Sequence, residues 1–475
     1  MLIRITPFAL TVAGILGATS AFAQSSEVLT KQYEDGGFYE GTFKNGLQDG
    51  QGTYRLPNGY EYSGEWAGGE IRGDGVAKFP NGSIYEGQFA GGKPEGVGKI
   101  TYVEGGTYEG TWVDGKIDGQ GVATYANGIT YEGQFRGAMH HGKGILTSET
   151  GYVYNGTWVD GVKQGQGTIN YPDGAVYVGA LAQGQRHGDG TLTMPDGLVY
   201  EGLWANGQIN GTGTLKQPNG DIYVGDLVDG HRDGNGQVTY SNGDIYLGQF
   251  SGDQRHGTGK FTGTDGYTYD GQWENGLIQG QGTVNYPDGS VYVGGFAADQ
   301  ADGRGMITYP DGSTYEGDWV DGIIDGNGKA TYANGLVYEG GFKNAQNNGF
   351  GVMTLNDGYR YEGNWVDGKR QGQGSATYAD GTVYTGDFVA GQRSGAGEII
   401  MADGFKYAGD WQNGEIHGVG VATYANGDVY EGSFLSGRRQ GRGTMKYASG
   451  AEASGNWTEG KLDEDTAETT PAGSE

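Results

Sequence analysis

The sequence predicts an all-β chain, an elongated, twisted single sheet of tandem β-hairpins. Three observations predict it. A unit led by tyrosine returns every 23 residues, from Tyr39, Tyr62 and Tyr85 to Tyr430, eighteen times without insertion or deletion. Within each unit, rings and glycines alternate with polar neighbours in two runs, the period-two pattern of strands. Glycine supplies 101 of the 475 residues, and each one in a helix costs roughly 1 kcal/mol relative to alanine. A fixed period in this range marks a repeat array, whose size follows from the number of repeats rather than of domains.

The chain divides into four segments. Residues 1–23 read as a secretory signal peptide: Arg4 is a minimal basic start, Phe8 to Leu16 an apolar run, and Ala21-Phe22-Ala23 a small-residue cleavage box before Gln24. The expected location is outside the cytoplasm, periplasmic or extracellular, after cleavage near Ala23. Residues 24–38 are a short lead-in that supplies an N-terminal cap. Residues 39–460 are the repeat array, with Ala453 in the tyrosine slot of a degenerate last copy. Residues 461–475 are acidic and poor in apolar residues, the composition of a disordered tail.

Tyr108 to Ile129 illustrates one unit. Tyr108, Gly110 and Trp112 share one face of a first strand, and Glu109 and Thr111 the other. Val113 to Lys116 read as a turn. Gly119, Gly121, Ala123 and Tyr125 then mark a second strand, and Asn127-Gly128 closes the unit with a dipeptide suited to positive φ. A glycine on a neighbouring strand gives each ring a bare stretch of main chain to lie on. The core expected is a stripe of rings and glycines along the sheet.

A second period lies over the first. The fifth residue of each unit alternates between tryptophan and a smaller apolar residue, and all nine tryptophans fall there: Trp66, Trp112, Trp158, Trp204, Trp273, Trp319, Trp365, Trp411 and Trp457. One phase slip, Leu227 to Phe250, is expected to divide the array into near-equal halves.

The run from Tyr315 to Gly328 resembles the MORN repeat (membrane occupation and recognition nexus), and the likeness extends over nearly the whole chain after the leader. The resemblance implies a long twisted sheet that serves as a scaffold or binding surface. It also implies the associations of the family, with membranes, protein partners and self-assembly. Some eukaryotic members carry a kinase or exchange-factor domain, and no such domain is readable in this chain.

The formal net charge of −28 repels phosphate backbones, so nucleic acid is a poor partner. The absence of cysteine removes thiolate chemistry and disulfides. No catalytic constellation, cofactor motif or metal motif stands out. His141, His187, His256 and His417 precede the second glycine of their units, a variable slot read as a solvated turn position, and His140-His141 lacks a carboxylate at motif spacing. Asp173, Asp196, Asp265 and their equivalents exchange freely with asparagine, as turn residues do. The repeated acids Glu40, Glu109, Glu132, Glu316 and Glu431 read as a solvated face.

Two departures are candidates for contact. Val178, Val224, Leu247 and Val293 replace the usual glutamate and are expected to form an apolar patch on the acidic back of the sheet, the candidate partner-contact site. Lys163, Arg186, Arg232, Arg255, Arg370, Arg393 and Arg439 stand two residues before the second glycine and read as a basic cluster on the turn edge. The expected function is a non-enzymatic, exported scaffold for protein–protein interaction or self-assembly, with no cofactor. Peripheral association with a membrane surface through the turn edge or groove is one alternative. A carbohydrate-binding row of rings is another.

Overall fold

The computed structural model describes residues 28–473, and the expected leader lies outside them. Apart from one short 3-10 turn, Glu464–Thr466, the regular elements among these residues are β-strands. The chain forms two compact units. One runs up to Pro195 and takes in Trp204–Gly207; the other takes Asp196–Leu203 and everything from Gln208 onward. The division falls before the phase slip, and pairing continues through the slip unbroken, Gly225 opposite Gly236 and Gly236 opposite Gly248.

Both units are built from the same hairpin. Strand Ile245–Ser251 pairs antiparallel with Gln254–Thr262, setting Tyr246 opposite Phe261, Gly248 opposite Gly259 and Phe250 opposite Arg255. The register shifts between Gly248 and Gln249, a bulge that adds local twist and frees one side chain on the back. Gln254–Thr262 then pairs with Thr268–Glu274, placing Gly257 opposite Trp273 and Gly259 opposite Gly271. At the following turn Asn275 and Gly276 take φ of 51° and 85°, two successive left-handed residues that match the twist of the strands they join.

The first unit begins on an added edge strand. Leu29–Gln32, from the lead-in, pairs with Phe38–Lys44, Lys31 facing Tyr39.

At the other end of the chain the structure corrects an expectation. Part of the acidic stretch 461–475, expected to be a disordered tail, has regular structure. Lys461–Leu462 and Glu468–Thr470 both pair with Glu452–Thr458, on either side of the short 3-10 turn. Leu462 stands opposite Trp457, in the position that earlier repeats fill with isoleucine or arginine. Leu462 supplies one apolar side chain at the repeat's own spacing, and beside it the Asp463 N–H donates to the Asn456 carbonyl at 2.8 Å and the Asn456 N–H to the Thr466 hydroxyl at 2.8 Å.

Candidate partner-binding face

The two faces of the sheet have divided roles. The inner face is the core. The ring of Tyr246 lies against Gly259, where an added Cβ would overlap its hydroxyl and ring carbons. The Tyr246 hydroxyl donates to the Gln249 carbonyl at 2.9 Å. Phe250 and Trp273 meet the ring edge-on, at 5.1 and 5.3 Å between centres. Such edge-to-face pairs contribute about 0.5–1.5 kcal/mol beyond their buried area. The indole Nε1 of Trp273 donates to the Gly259 carbonyl at 3.0 Å, and the same bond recurs from Trp66 to Gly52 and from Trp411 to Gly397. Each ring is thus held by backbone that only glycine leaves open.

All nine tryptophans of the expected stripe are buried. Trp319 is 8% exposed. The tryptophan row therefore offers no ring faces to a sugar; the exposed tyrosines stand at the ends of the second strands, such as Tyr125, Tyr309 and Tyr332.

The basic cluster is also corrected. The strand after each hairpin turn starts earlier than the sequence suggests: Lys116–Tyr125 rather than from Gly119. Its alternation carries the slot two residues before the second glycine onto the inner face. The guanidinium carbons of Arg186 and Arg255 lie 4.0 Å from the centres of Trp204 and Trp273, and those of Arg393 and Arg439 lie 4.4 Å from Trp411 and Trp457. Arg186, Arg370 and Arg439 each donate at 2.7 Å to the carbonyl of the next turn, at Gly207, Gly391 and Gly460. These cations staple one hairpin to the next.

His140 fills the same slot. It stacks on Tyr131 at 3.7 Å and meets the Tyr125 hydroxyl at 2.6 Å; burial pulls its pKa down. It is therefore a core group rather than a solvated turn histidine. The slot after it, held by His141 in that unit, has its own task. Its side chain accepts an N–H from the next hairpin turn: Asp49 from Gly68 at 3.3 Å, Gln279 from Ala298 at 3.1 Å, His141 from Asp160 at 3.4 Å. Any acceptor serves, which explains the exchange among aspartate, glutamine and histidine. The Asp-Gly turns are likewise self-contained, Asp173 accepting from Ala175 at 3.0 Å and Asp288 from Ser290 at 2.8 Å. Among the described residues no cluster of histidine, aspartate and glutamate could hold a metal ion.

The outer face is where side chains remain available. Glu109, Glu132, Glu316 and Glu431 are exposed there. So are Val178, Val224, Leu247 and Val293, each about half exposed. Val178 belongs to the first unit and the other three to the second. Those three do not form one patch. Register places Gln237 between Val224 and Leu247, and Lys260, Asp270 and Thr283 between Leu247 and Val293. The apolar contacts are instead small local spots, Val224 beside Ile222 and Leu247 beside Ile245 on the same strand face.

Three shallow concavities of the second unit lie on this face. One of about 350 Å³ is bordered by Leu247, Lys260 and Asp270. One of about 440 Å³ lies among Val419, Glu431 and Arg442. The largest of the three, about 1060 Å³, centres on Gly341 and Phe350. Phe350 is 59% exposed, the largest apolar side chain on the outer face to be so open. The signal for it is present in the sequence: an aromatic stands where many other units hold glutamine, asparagine or threonine.

This geometry defines a hairpin-repeat protein with a sealed aromatic face and an open polar one. The chain belongs to the MORN repeat family, which matches it in eighteen successive segments from residues 39–59 to 430–452. Among curated proteins it resembles Alsin of Rattus norvegicus, 46% identical over 50 residues, which is 10% of this chain and 3% of that protein's length. Among solved structures it resembles the SAS-4 TCP domain of Drosophila melanogaster in complex with a proline-rich motif of Ana2. That likeness has 14% identity and a TM-score of 0.20, and covers 42% of this chain and 88% of the other. The TCP10 domain of Danio rerio CPAP, in complex with a peptide of STIL, matches at 15% identity and a TM-score of 0.13, covering 62% and 94%. TM-scores of this size establish no shared fold. No helix among the described residues is long and apolar enough to cross a membrane.

Proposed function

We propose that the protein is an exported, non-enzymatic scaffold that binds protein partners through the outer face of its hairpin sheets. One observation supports this most directly. The leading tyrosines, the tryptophans and the cations of one slot, Lys163 and Arg186 among them, are used on the inner face, and the outer face carries exposed charged residues interrupted by apolar spots such as Leu247 and Val293. Exposed apolar side chains of this kind are where a partner's apolar groups can be buried from water. The membrane alternative rests on the basic slot, whose arginines are engaged with rings and carbonyls.

Affinity purification of the full chain from its native cells tests the reading. Specific protein partners are expected in stoichiometric amounts. Recovery of lipid alone, or flotation with anionic vesicles that disappears at high salt, would favour the membrane surface instead. Cell fractionation tests the export.

A further inference from the structure

Most repeats carry one more ring, at the turn that closes them. Two slots can hold it. The earlier slot ends the second strand, as with Tyr171 and Tyr378; the later one lies four residues on, as with Tyr152 and Tyr359. The two are joined across the turn. The Tyr171 N–H donates to the Ala175 carbonyl at 2.8 Å, and the Ser148 N–H to the Tyr152 carbonyl at 2.8 Å. Side chains paired in this way share one space, and no turn fills both slots with rings: Ser148 precedes Tyr152, and Ala175 follows Tyr171.

Where one turn uses the later slot and the next uses the earlier, two tyrosines meet. Tyr359 and Tyr378 lie 5.4 Å apart between ring centres, at 62°. Tyr152 with Tyr171 and Tyr267 with Tyr286 repeat the contact at 6.1 Å, at 69° and 65°. Rings at these separations touch edge to face. All six are half-buried and keep part of their surface in solvent, whereas the leading tyrosines Tyr154, Tyr269 and Tyr361 are wholly buried. The Tyr359 hydroxyl accepts from Arg370 and the Tyr152 hydroxyl from Lys163, which fixes both rings and leaves their own protons unengaged by these bonds. Tyr309 and Tyr332 are exposed, but they hold the same slot of successive turns, two strands or roughly 10 Å apart.

We propose that Tyr359–Tyr378, and with it Tyr152–Tyr171 and Tyr267–Tyr286, is a site of oxidative cross-linking to dityrosine, driven by hydrogen peroxide through a peroxidase. Each phenol gives up one electron and its hydroxyl proton. The two radicals couple through a carbon–carbon bond between ring positions ortho to the hydroxyls, and the ring hydrogens displaced there pass to the phenol oxygens. Two electrons and two protons leave in all, and they reduce one peroxide to two waters. The rings are already in contact, so the coupling is within one chain. The bond joins consecutive hairpins in a chain that has no cysteine, and so no disulfide, to do this. It restricts the unfolded chain as a disulfide does.

Treatment of the full chain with a haem peroxidase and hydrogen peroxide, followed by peptide mapping with mass spectrometry, tests the site. The monomer is expected to gain dityrosine fluorescence. It should yield a linked Tyr359–Tyr378 peptide at about tenfold or more the level of any Tyr309–Tyr332 link. Tyr359→Phe is expected to remove that peptide and to leave the Tyr152–Tyr171 and Tyr267–Tyr286 links at the wild-type level. The chain already places Phe405 in this slot, 5.5 Å from Tyr424, so the variant should keep the wild-type circular dichroism. Tyr378→Phe should behave alike, since Phe79 stands in that slot 6.1 Å from Tyr60. No dityrosine in the monomer, links spread evenly over the exposed tyrosines, or links found only between chains overturns the site. So does a Tyr378 that links elsewhere with undiminished yield in Tyr359→Phe.

Discussion

The guanidinium carbon of Arg255 lies 4.0 Å from the centre of the Trp273 ring, and its Nη2 donates to the Gly276 carbonyl at 2.9 Å. One side chain thus joins a ring and a turn of the following hairpin. The same slot holds isoleucine at Ile71, Ile117 and Ile278, where apolar contact replaces the cation. Arg255→Ile should therefore stay within about 0.5 kcal/mol of the wild type in chemical unfolding. Arg255→Glu should lose about 1–2 kcal/mol, because a carboxylate is repelled by both the ring face and the carbonyl.

The close approach of Tyr246 to Gly259 sets a second expectation. Gly259→Ala forces the ring off the main chain and should cost about 1–3 kcal/mol, with a change in near-ultraviolet circular dichroism. Gly276 has open space around its Cα but a φ of 85°. Gly276→Ala should cost about 1 kcal/mol through backbone strain alone and leave that spectrum unchanged. Tyr246→Phe, which removes one hydrogen bond, should cost about 1 kcal/mol.

Alkaline pH should unfold the array abruptly. Burial pushes the pKa of Tyr246, Tyr269 and Tyr292 up to about 12, from 10.0 for a free phenol, and loss of water around the ring is the largest cause for each. The fold binds the phenolic proton more tightly than the unfolded chain does. The stability this confers is complete below pH 10 and is lost as pH rises toward 12. Tyrosinate absorbance should appear in that window together with the loss of strand circular dichroism. Tyrosines that ionise near pH 10 with the strands intact would show that the rings are not sealed.

Val224 and Leu247 should act independently. Gln237 stands between them in register. Val224→Glu and Leu247→Glu should each leave the fold intact, and their effects on partner capture should add within about 0.5 kcal/mol. A strongly non-additive double variant would restore the single apolar patch.

Truncation after Gly460 should expose the outer edge of Glu452–Thr458, which Lys461–Leu462 and Glu468–Thr470 now cover. An uncovered edge strand pairs with whatever strand it meets. Sedimentation velocity should show association that rises with concentration in the truncated chain and not in the full one. Leu462→Asp should reproduce part of the effect by loosening the cover.

Much of the architecture is legible in the amino-acid order. The 23-residue period, the two strands per unit and the burial of all nine tryptophans follow from glycine and ring positions alone, because ring-on-backbone packing tolerates no other residues there. The misplacement of Arg186 and its equivalents has a definite cause. Charged residues beside a turn look like part of it, which sets the expected start of the second strand too late. Extending the alternation of Gly119 and Gly121 back to Ile117 recovers the inner face. The acidic tail defeats a reading by composition, which hides one leucine in phase with the repeat. The exposed ring of Phe350 is announced at one position only, where an aromatic stands in a slot that many other units fill with glutamine, asparagine or threonine.

Within each unit, every strand from Phe38 to Ala182 and from Ile222 to Lys446 pairs with its immediate predecessor and successor in the chain, so the ladder of bonds follows the covalent order. Tension applied to the two termini would then load the outermost bonds first and peel the hairpins in succession. Each repeat would release about 80 Å of contour, and the unpeeled remainder would keep its packing. The protein would give way under load as a series of small yields, and would re-zip from any surviving hairpin once slack returned.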